Sequence, residues 1–575
     1  MTRLAATCLI LALGAALGGC SDDETGGTGG SAGSGGSTGG GGEGGVGGIG
    51  GSGGVGPTGP IEGTVRRYDY AFDFTTWSAL SELAIDVTQG GDCHSIACQT
   101  WPQNVSFQGE PAESFEIVDN QLAACGASVS QGQTLALTAD AVLMEQTHLG
   151  MDIGISRKPN LVGGTFSYLL SWVGGCDYFG PCDDHPGRLA EFHFDLTHDA
   201  GTIALCPGVI TPGDTSTQCE VSGTLAPTYS AFFAAHDPDW VREPFVTAAG
   251  IDLVFYEVPG GELADTLEPQ EVSDYLVWIT NLLGPYPYGT ELRVAGAPTH
   301  WLGFEHPGNI ILLDRLPSLQ TSHPNQTMST FIHEVIHQWS GNRTTLAETA
   351  DFVWKEATCE YLTYVYEDEH LPASYAEATR HYWHYYATWA DYHPRPTDDP
   401  TPAVEEFYGD TYAAGPMVLY LQLESMFGRQ TVLDAITSFL AEPGIASVTD
   451  LQGELEAASG QDLQAYFDAW VYGSGTPTWP SFTVSTDQQG NQVTVTVTQD
   501  GPELFGCLVE VDVHGANTTV TASVDFGLAP SSASAQATVT LAEAVVITEL
   551  DPRERLIEQT GNVNASGQEP KIWYR

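Results

Sequence analysis

The hydrophobic and polar positions of this chain follow different periods in different parts of its length. From residue 63 to about 245, apolar residues recur at every second position between turn residues, as at 133–138 and 188–196. A period of two is typical of strands that bury one face. We therefore predict that residues 63–245 form an N-terminal β domain.

The pattern becomes helical in the next part of the chain, 246–478. Strand-like runs at 251–256 and 309–313 are followed, from Met328 to Trp339, by apolar residues at intervals of three and four. Such spacing places the apolar residues on one face of a helix. This part is therefore predicted to be an α/β domain.

A second helix is predicted shortly after the first. Thr345 and Glu348 have the spacing of a capping box, in which each side chain bonds a backbone N–H of the first helical turn. We therefore expect this helix to begin near Thr345 and to run antiparallel to its predecessor.

Alternation of period two returns after residue 478, at 492–498, 508–513 and 535–541. Short strands between turn residues at this spacing predict a β-sandwich, which we assign to residues 479–575. The fold class expected for the whole chain is multidomain α+β, with a β domain, an α/β domain and a C-terminal β-sandwich.

The N-terminus has the pattern of an export signal. Residues 1–19 contain one arginine, a short apolar run and small residues before Cys20. The run is too short to cross a bilayer, and its end is similar to a bacterial lipobox. We expect a signal peptide over 1–19 and a lipid on Cys20, which would anchor the exported chain to the inner or outer membrane of the cell envelope. Cleavage elsewhere, with Cys20 incidental, is the alternative.

Residues 20–62 are rich in glycine, serine and threonine, a composition that predicts a flexible tether. The whole chain has 18 lysine and arginine residues against 73 aspartate and glutamate residues, and its formal net charge is −55. So acidic a protein repels nucleic acid and anionic membrane surfaces. Nucleic acid is therefore not an expected partner, and membrane contact is expected only through the lipid anchor.

Most of the cysteines lie in the predicted N-terminal β domain, at positions 93, 98, 125, 176, 182, 206 and 219. In an exported protein this clustering favours disulfides. Cys176–Cys182 and Cys206–Cys219 are candidate pairs, although the order of cysteines along a chain does not determine their pairing.

The first predicted helix carries His333, Glu334 and His337 in the order H-E-x-x-H, and Glu356 follows in the second. Residues four apart on a helix share a face, so both imidazoles can point at one ion while Glu334 stands beside it. Two histidines and one carboxylate suit zinc and leave a fourth position open, as in catalytic sites. We predict one Zn²⁺ per chain, held by His333, His337 and Glu356, with Glu334 as the general base for the attacking water.

Other residues near this motif have simpler explanations than metal binding. Cys359, three residues after Glu356, is interpreted as a buried free thiol rather than a fourth ligand. His381, His384 and His393 lie in an aromatic-rich segment, which we interpret as a helix that packs beneath the active site.

The residues around the motif form a longer pattern. The matching segments are F-G-P-C-D-D-H-P at 179–186, G-F-E-H-P-G at 303–308, H-E-V-I-H-Q-W-S-G-N at 333–342, W-K-E-A at 354–357, Y-A-A-G at 412–415 and F-D-A-W at 467–470. In this order they resemble the aminopeptidase N family of zinc metallopeptidases, over residues from about 63 to about 560.

The resemblance implies a thermolysin-like fold for residues 246–478 and aminopeptidase activity on peptide substrates. It assigns Tyr412 to stabilisation of the oxyanion, with Tyr408 as the alternative, and it assigns Glu305 and Gly303 to binding of the substrate's N-terminus. An extended substrate could lie along the edge of the strand predicted at 309–313. Because the sequence has no counterpart of the large helical domain of many family members, a more open active site is expected.

We therefore expect an exported, lipid-anchored zinc aminopeptidase. A zinc endopeptidase that uses the same site is one alternative. A non-catalytic, surface-binding lipoprotein on a peptidase scaffold is another. The complete set of His333, Glu334, His337, Glu356 and Tyr412 argues against it, because a scaffold without activity would be expected to lose such residues.

Overall fold

The computed structural model describes residues 58–147, 153–388, 390, 392–399, 401 and 416–558. These residues belong to one compact unit that starts at Gly56. Cys20, Tyr408 and Tyr412 lie outside the described residues, as do the predicted signal peptide and most of the predicted tether.

The N-terminal part consists almost entirely of strands, as the alternation predicted. Its strands are β1 (Glu62–Asp73), β2 (Ser78–Gln89), β3 (Gly91–Ala97), β4 (Val105–Phe107), β5 (Glu110–Pro111), β6 (Ser114–Val118), β7 (Gln121–Val129), β8 (Thr134–Val142), β9 (Gln146–Thr147), β10 (Gly154–Pro159), β11 (Thr165–Leu170), β12 (Leu189–Thr197), β13 (Ile203–Leu205), β14 (Val209–Pro212), β15 (Ser216–Pro227) and β16 (Phe233–Asp237). A short helix, α1 (Thr228–Ala231), joins β15 to β16.

These strands form three sheets. The largest has the order β14-β15-β12-β1-β2-β8-β4-β5, the second the order β13-β16-β11-β10-β9 and the third the order β3-β7-β6. Buried and more exposed side chains alternate along β8 and β12, which correspond to the two runs that predicted strands. The period of two therefore reports the buried face of the large sheet.

Three disulfides stabilise this part of the chain: Cys93–Cys125, Cys176–Cys182 and Cys206–Cys219. The last two confirm the candidate pairs. Cys98 is buried and free.

The middle part combines a mixed sheet with a group of helices. Its strands are β17 (Val241–Ala248), β18 (Ile251–Glu257), β19 (Glu291–Ala297), β20 (Gly303–His306), β21 (Asn309–Leu313), β22 (Thr344–Leu346), β23 (Arg395–Pro396), β24 (Gly444–Ala446) and β25 (Tyr472–Gly473). Its helices are α2 (Pro269–Leu283), α3 (Gln326–Ile336), α4 (Phe352–His370), α5 (Ala373–Ala387), α6 (Met417–Phe427), α7 (Arg429–Phe439), α8 (Val448–Ser459) and α9 (Gln464–Trp470).

The main sheet of this part has the order β17-β18-β19-β21-β20. β21 pairs with β19 on one side and with β20 on the other, so it has no free edge. The expectation that a substrate could lie along the strand at 309–313 is therefore wrong, because the edge strand is β20.

Two details of the helical prediction are also wrong. Helix α3 ends at Ile336, with His337 as its C-cap, rather than continuing to Trp339. Thr345 lies in β22 and donates its hydroxyl hydrogen to the carbonyl of Pro186, so it is not available to cap a helix. Glu348 and Asp351 form the capping box instead, on a short 3₁₀ turn that leads into α4.

The C-terminal part contains β26 (Ser481–Gln489), β27 (Gln492–Asp500), β28 (Leu508–His514), β29 (Thr519–Asp525), β30 (Ser534–Thr540) and β31 (Ile547–Leu550). They form two three-stranded sheets, in the orders β26-β27-β30 and β29-β28-β31. The architecture confirms the predicted multidomain α+β fold, while the predicted domain boundaries stay predictions. Within the described residues, no helix combines the length and apolar character needed to cross a bilayer.

Candidate active site

Helices α3 and α4 bring the predicted metal ligands together. The Nε2 atoms of His333 and His337 are 2.9 Å apart, and Oε2 of Glu356 lies 3.3 Å and 3.4 Å from them. Two zinc–nitrogen bonds of about 2.0–2.1 Å at a tetrahedral angle place the nitrogens roughly 3.3 Å apart. The three atoms therefore surround a position that fits a zinc ion after a small adjustment of the side chains.

Each imidazole is oriented through its other nitrogen. Nδ1 of His337 lies 2.9 Å from the carbonyl oxygen of Ser340, and Nδ1 of His333 lies 3.0 Å from Oε1 of Glu360. Because a carbonyl oxygen only accepts, His337 carries its proton on Nδ1 and presents Nε2 to the ion. Glu360 was not predicted from the sequence; it lies one helical turn after Glu356 on α4.

The two histidines differ in their electrostatic surroundings. Burial lowers the pKa of His337, which keeps the ring neutral, as a metal ligand must be. Burial also acts to lower the pKa of His333, but the carboxylate of Glu360 raises it well above the ordinary value. A bound cation would therefore replace a proton at Nε2 of His333.

Glu334 lies beside these ligands and is 5% exposed. Its carboxylate and the two imidazoles form a group whose potential ligand atoms all lie within 4.8 Å of one another. Burial raises the pKa of Glu334 well above the ordinary value, and the carboxylates of Glu305 and Glu356 act in the same direction. A raised pKa brings this carboxyl closer to the range in which a general base works best at neutral pH.

The absence of a side chain at Gly303 makes space for the carboxylate of Glu334. A Cβ atom at position 303 would lie 2.4 Å from Oε1 of Glu334, well inside van der Waals contact. Glycine at position 303 therefore lets the backbone of β20 lie close to Glu334, the predicted general base.

Glu305 lies two residues further along β20 and is 3% exposed. Nζ of Lys355 is 2.6 Å from Oε1 of Glu305 and 2.6 Å from Oε1 of Glu356. Burial alone would lower the pKa of Lys355, but the two carboxylates raise it well above the ordinary value, so the ammonium is charged. No sequence pattern indicated this buried cation beside the predicted metal ligands.

The turn between β20 and β21 is attached to the end of α3. The side chain of Gln338 donates to the carbonyl of His306 at 3.1 Å and accepts from the backbone N–H of Gly308 at 3.0 Å. This pair of hydrogen bonds holds the strand that carries Glu305 against the helix that carries the histidines.

A pocket opens onto these groups, and three aromatic residues contribute to its walls. It is lined by Trp172, Trp301, Gly303, Phe304, Glu305, His333, Glu334, His337 and Glu356. Trp172 comes from the N-terminal part, two residues after the end of β11. All the predicted metal and substrate residues that the structure describes thus line one pocket, together with a residue from a different part of the chain.

Cys359 lies on the far side of His337 from the metal position. Its sulfur is 3.1 Å from Nδ1 of His337, whereas Nε2 faces Glu356. The thiol is free and buried, as predicted, and is not placed to serve as a fourth ligand.

The histidines of the aromatic segment contact the C-terminal part of the chain. Nδ1 of His381 is 2.8 Å from Oε1 of Glu554, and Nε2 of His384 is 2.9 Å from the carbonyl oxygen of Leu556. The prediction that these two are not metal ligands agrees with their contacts. Helix α5 packs both on the segment after β31 and on α4, the helix that carries Glu356; the hydroxyl of Thr379 donates to Oε2 of Glu367.

Several known proteins are similar to this chain. Residues 281–470 match the peptidase family M1 domain. Aminopeptidase N of Homo sapiens is 26% identical over 223 residues, which cover 35% of this chain and 21% of that protein. Aminopeptidase N of Streptomyces lividans is 27% identical over 191 residues, which cover 31% of this chain and 22% of that protein. The aligned region thus spans only about a fifth of the length of these relatives.

A solved structure of Legionella pneumophila aminopeptidase A, in complex with aspartic acid, has the same fold. The TM-score is 0.68 at 14% sequence identity, and the match covers 85% of this chain and 58% of that chain. The M1 match includes α3 and α4, the two helices that carry the predicted metal ligands. Residues 281–470 are therefore similar to the peptidase family M1 domain, and the chain shares the fold of a solved aminopeptidase.

Proposed function

We propose that this protein is a zinc-dependent aminopeptidase, which hydrolyses the first peptide bond of its substrates. The observation that carries the proposal is the convergence of Nε2 of His333, Nε2 of His337 and Oε2 of Glu356 within 3.4 Å, with Glu334 in the same pocket. Three protein ligands with an open fourth position are typical of catalytic rather than structural zinc.

A zinc ion bound there would acidify a water molecule and polarise the carbonyl of the scissile bond. Glu334 would take the proton from the attacking water and pass it to the leaving amine. Its burial favours this role, because burial raises the pKa of Glu334 and so makes its carboxylate a stronger base toward the water. Tyr412, which lies outside the described residues, is proposed from the family resemblance as the donor to the oxyanion.

Recognition of the substrate's N-terminus is assigned to Glu305. It lies on the edge strand β20, where the main chain of an extended peptide could pair, and it lines the pocket beside the metal position. A carboxylate at this place would attract the free α-ammonium of a peptide and would gain nothing from a blocked one.

One observation favours a second candidate, a zinc endopeptidase on the same ligands. Oε1 of Glu305 already forms an ion pair with Lys355, so the charge available to a substrate ammonium is reduced. If Lys355 neutralises Glu305 completely, a free N-terminus gives no advantage and the enzyme cuts internal bonds.

The two candidates are separated by one pair of substrates. The test compares the hydrolysis of a peptide that has a free α-ammonium with the hydrolysis of its N-acetylated twin. Three proteins are assayed: the wild type, Glu305→Gln and the control Glu243→Gln. Glu243 is exposed on β17. An aminopeptidase cleaves only the free peptide and loses most of that activity in Glu305→Gln alone. Equal cleavage of both peptides by the wild type would establish the endopeptidase.

The location of the protein is proposed from its N-terminus. We expect export and lipidation of Cys20, which would tether the peptidase to the cell envelope, because acyl chains bind a bilayer by about 0.8 kcal/mol for each buried methylene. Cys20→Ala should move the protein from the membrane fraction to the soluble fraction. A wild-type protein that is already in the soluble fraction would contradict the lipid anchor and would leave the proposed zinc chemistry unaffected.

A further inference from the structure

The least expected residue of the site is Lys355. It is one of three lysines in the chain, and its side chain is fully buried. Its Nζ lies 4.4 Å, 5.1 Å and 5.8 Å from the ring centroids of Trp172, Phe352 and Tyr229. A buried ammonium is costly unless it is paired, and the rings alone do not supply that pairing.

The surrounding backbone is shaped for this side chain. Gly341 has a φ of +114°, and a Cβ atom there would lie 2.8 Å from Cε of Lys355. The hydroxyl of Ser340 donates to the carbonyl of Lys355 at 3.1 Å. The loop after α3 therefore both makes room for the lysine and fixes the start of α4.

The two oxygens of Glu356 have different partners. Oε1 lies 2.6 Å from Nζ of Lys355, while Oε2 is the atom that faces both imidazoles, at 3.3 Å and 3.4 Å. A charged donor at this distance forms one of the stronger hydrogen bonds found in proteins. Lys355 therefore holds one oxygen and leaves the other to the metal position.

We propose that Lys355 is a positioning residue that restricts Glu356 to a single metal-binding oxygen. The proposal rests on the zinc site proposed above. If Oε1 were free, it could turn to the metal as a second carboxylate contact and take up coordination space that a catalytic site keeps open for water and substrate. By holding Oε1, the ammonium keeps that space available.

The same ammonium fixes the opposite wall of the pocket. Its contact with Oε1 of Glu305 joins α4 to the edge strand β20. Without Lys355, the carboxylates of Glu305 and Glu356 would be buried side by side with no cation between them. Their repulsion would turn Oε1 of Glu356 away from Glu305 and toward the metal position.

The test compares Lys355→Met with the wild type and with Lys158→Met. The control removes the same charge from β10, in the N-terminal part. Zinc affinity is measured by competition with a chelator, and the visible absorption is recorded after replacement of zinc by Co²⁺, whose bands weaken as its coordination number rises. Thermal unfolding of the metal-free proteins reports the fold separately.

We expect Lys355→Met to bind zinc about 10- to 100-fold more weakly, the range for loss of a group that orients a metal ligand. Its Co²⁺ bands should be weaker than those of the wild type, and Lys158→Met should match the wild type in both measurements. Neither measurement uses peptide hydrolysis, so the result is independent of whether the protein is an aminopeptidase.

Wild-type zinc affinity together with an unchanged Co²⁺ spectrum in Lys355→Met would overturn the proposal, whatever the unfolding temperature. If Lys355→Met does not fold, Lys355→Gln gives the same comparison, because a shorter neutral amide cannot hold both carboxylates. Its zinc affinity should also fall, and an unchanged affinity would contradict the role of Lys355 in the same way.

Discussion

Glu360 orients His333: its Oε1 lies 3.0 Å from Nδ1 of the imidazole, on the side opposite the metal position. Both side chains are largely buried. Glu360 is not part of either motif that marks the site in the sequence, at 333–342 and 354–357. A carboxylate in this position fixes the ring and makes its Nε2 a better metal ligand.

Glu360→Gln should therefore weaken zinc binding by about 10- to 100-fold, because the amide keeps the size of the side chain but loses its charge. Competition with a chelator measures the change. The control is Glu369→Gln at the other end of α4, where the carboxylate pairs with Arg429 and lies away from the metal ligands. Equal zinc affinity of Glu360→Gln and the wild type would show that His333 is held by other contacts.

Gly303→Ala tests the close approach of β20 to the general base. The new Cβ would lie 2.4 Å from Oε1 of Glu334, so this carboxylate has to move. A displacement of about 1 Å can cost about 10²-fold in rate, and we expect kcat to fall by roughly that factor while zinc stays bound. Gly453→Ala in α8, where a Cβ meets nothing within 4 Å, should leave kcat unchanged. Wild-type kcat in Gly303→Ala would mean that the position of Glu334 does not limit the reaction.

Cys359→Ser tests whether the buried thiol contributes to the metal site. Its sulfur lies against Nδ1 of His337 and not against Nε2, so the variant should retain one zinc ion per chain and wild-type activity for each bound ion. Metal analysis by mass spectrometry, with activity normalised to zinc, gives the result. Loss of zinc in a folded Cys359→Ser protein would make the thiol a ligand.

The pH dependence of stability should include a contribution from Asp177, which lies beside the Cys176–Cys182 disulfide. Burial raises its pKa to about 6 from the ordinary 3.8. The folded state therefore binds a proton more tightly than the unfolded state, and this carboxyl destabilises the fold as the pH rises from about 4 to above 6. The full difference between the two pKa values corresponds to about 3 kcal/mol of unfolding free energy at most.

Asp177→Asn removes this ionisation, and Gln99 can still donate to the oxygen of the new amide, as it now donates to Oδ1 of Asp177 at 3.1 Å. We expect Tm to rise at about pH 8 and to match the wild type near pH 3, below the ordinary pKa of 3.8, where Asp177 is mostly protonated in both states. Asp214→Asn, at an exposed position, should show neither effect. An equal change of Tm at both pH values would exclude Asp177 as the source.

The convergence of the candidate metal ligands could be predicted from the sequence because its geometry is local. His333 and His337 are four residues apart on one helix, and the helical period alone places both on one face. Glu360 could have been found in the same way, since it follows Glu356 by four residues on α4. Trp172 and the ion pair between Lys355 and Glu305 have no such signal, because they depend on how β11, β20 and α4 meet in three dimensions.

The errors in the predicted fold have a similar cause. Thr345 and Glu348 fit the spacing of a capping box, but Thr345 pairs with Ile445, a hundred residues away, and bonds Pro186 of the N-terminal part. The strand at 309–313 was predicted correctly, yet only the topology shows that β20 covers its edge. The hydrophobic period within one segment predicted whether it forms a helix or a strand. Contacts between distant segments determine where each helix or strand ends and which others it packs against.

The most direct test of the account is the pair of measurements made on Glu334→Gln. The variant should bind one zinc ion per chain, as the wild type does, because the ligands His333, His337 and Glu356 are intact. Its kcat on a free-amine peptide should be lower by about two to four orders of magnitude, the range for loss of a positioned general base. Wild-type turnover by Glu334→Gln, or a wild-type protein that cleaves peptides equally well without zinc, would contradict the account.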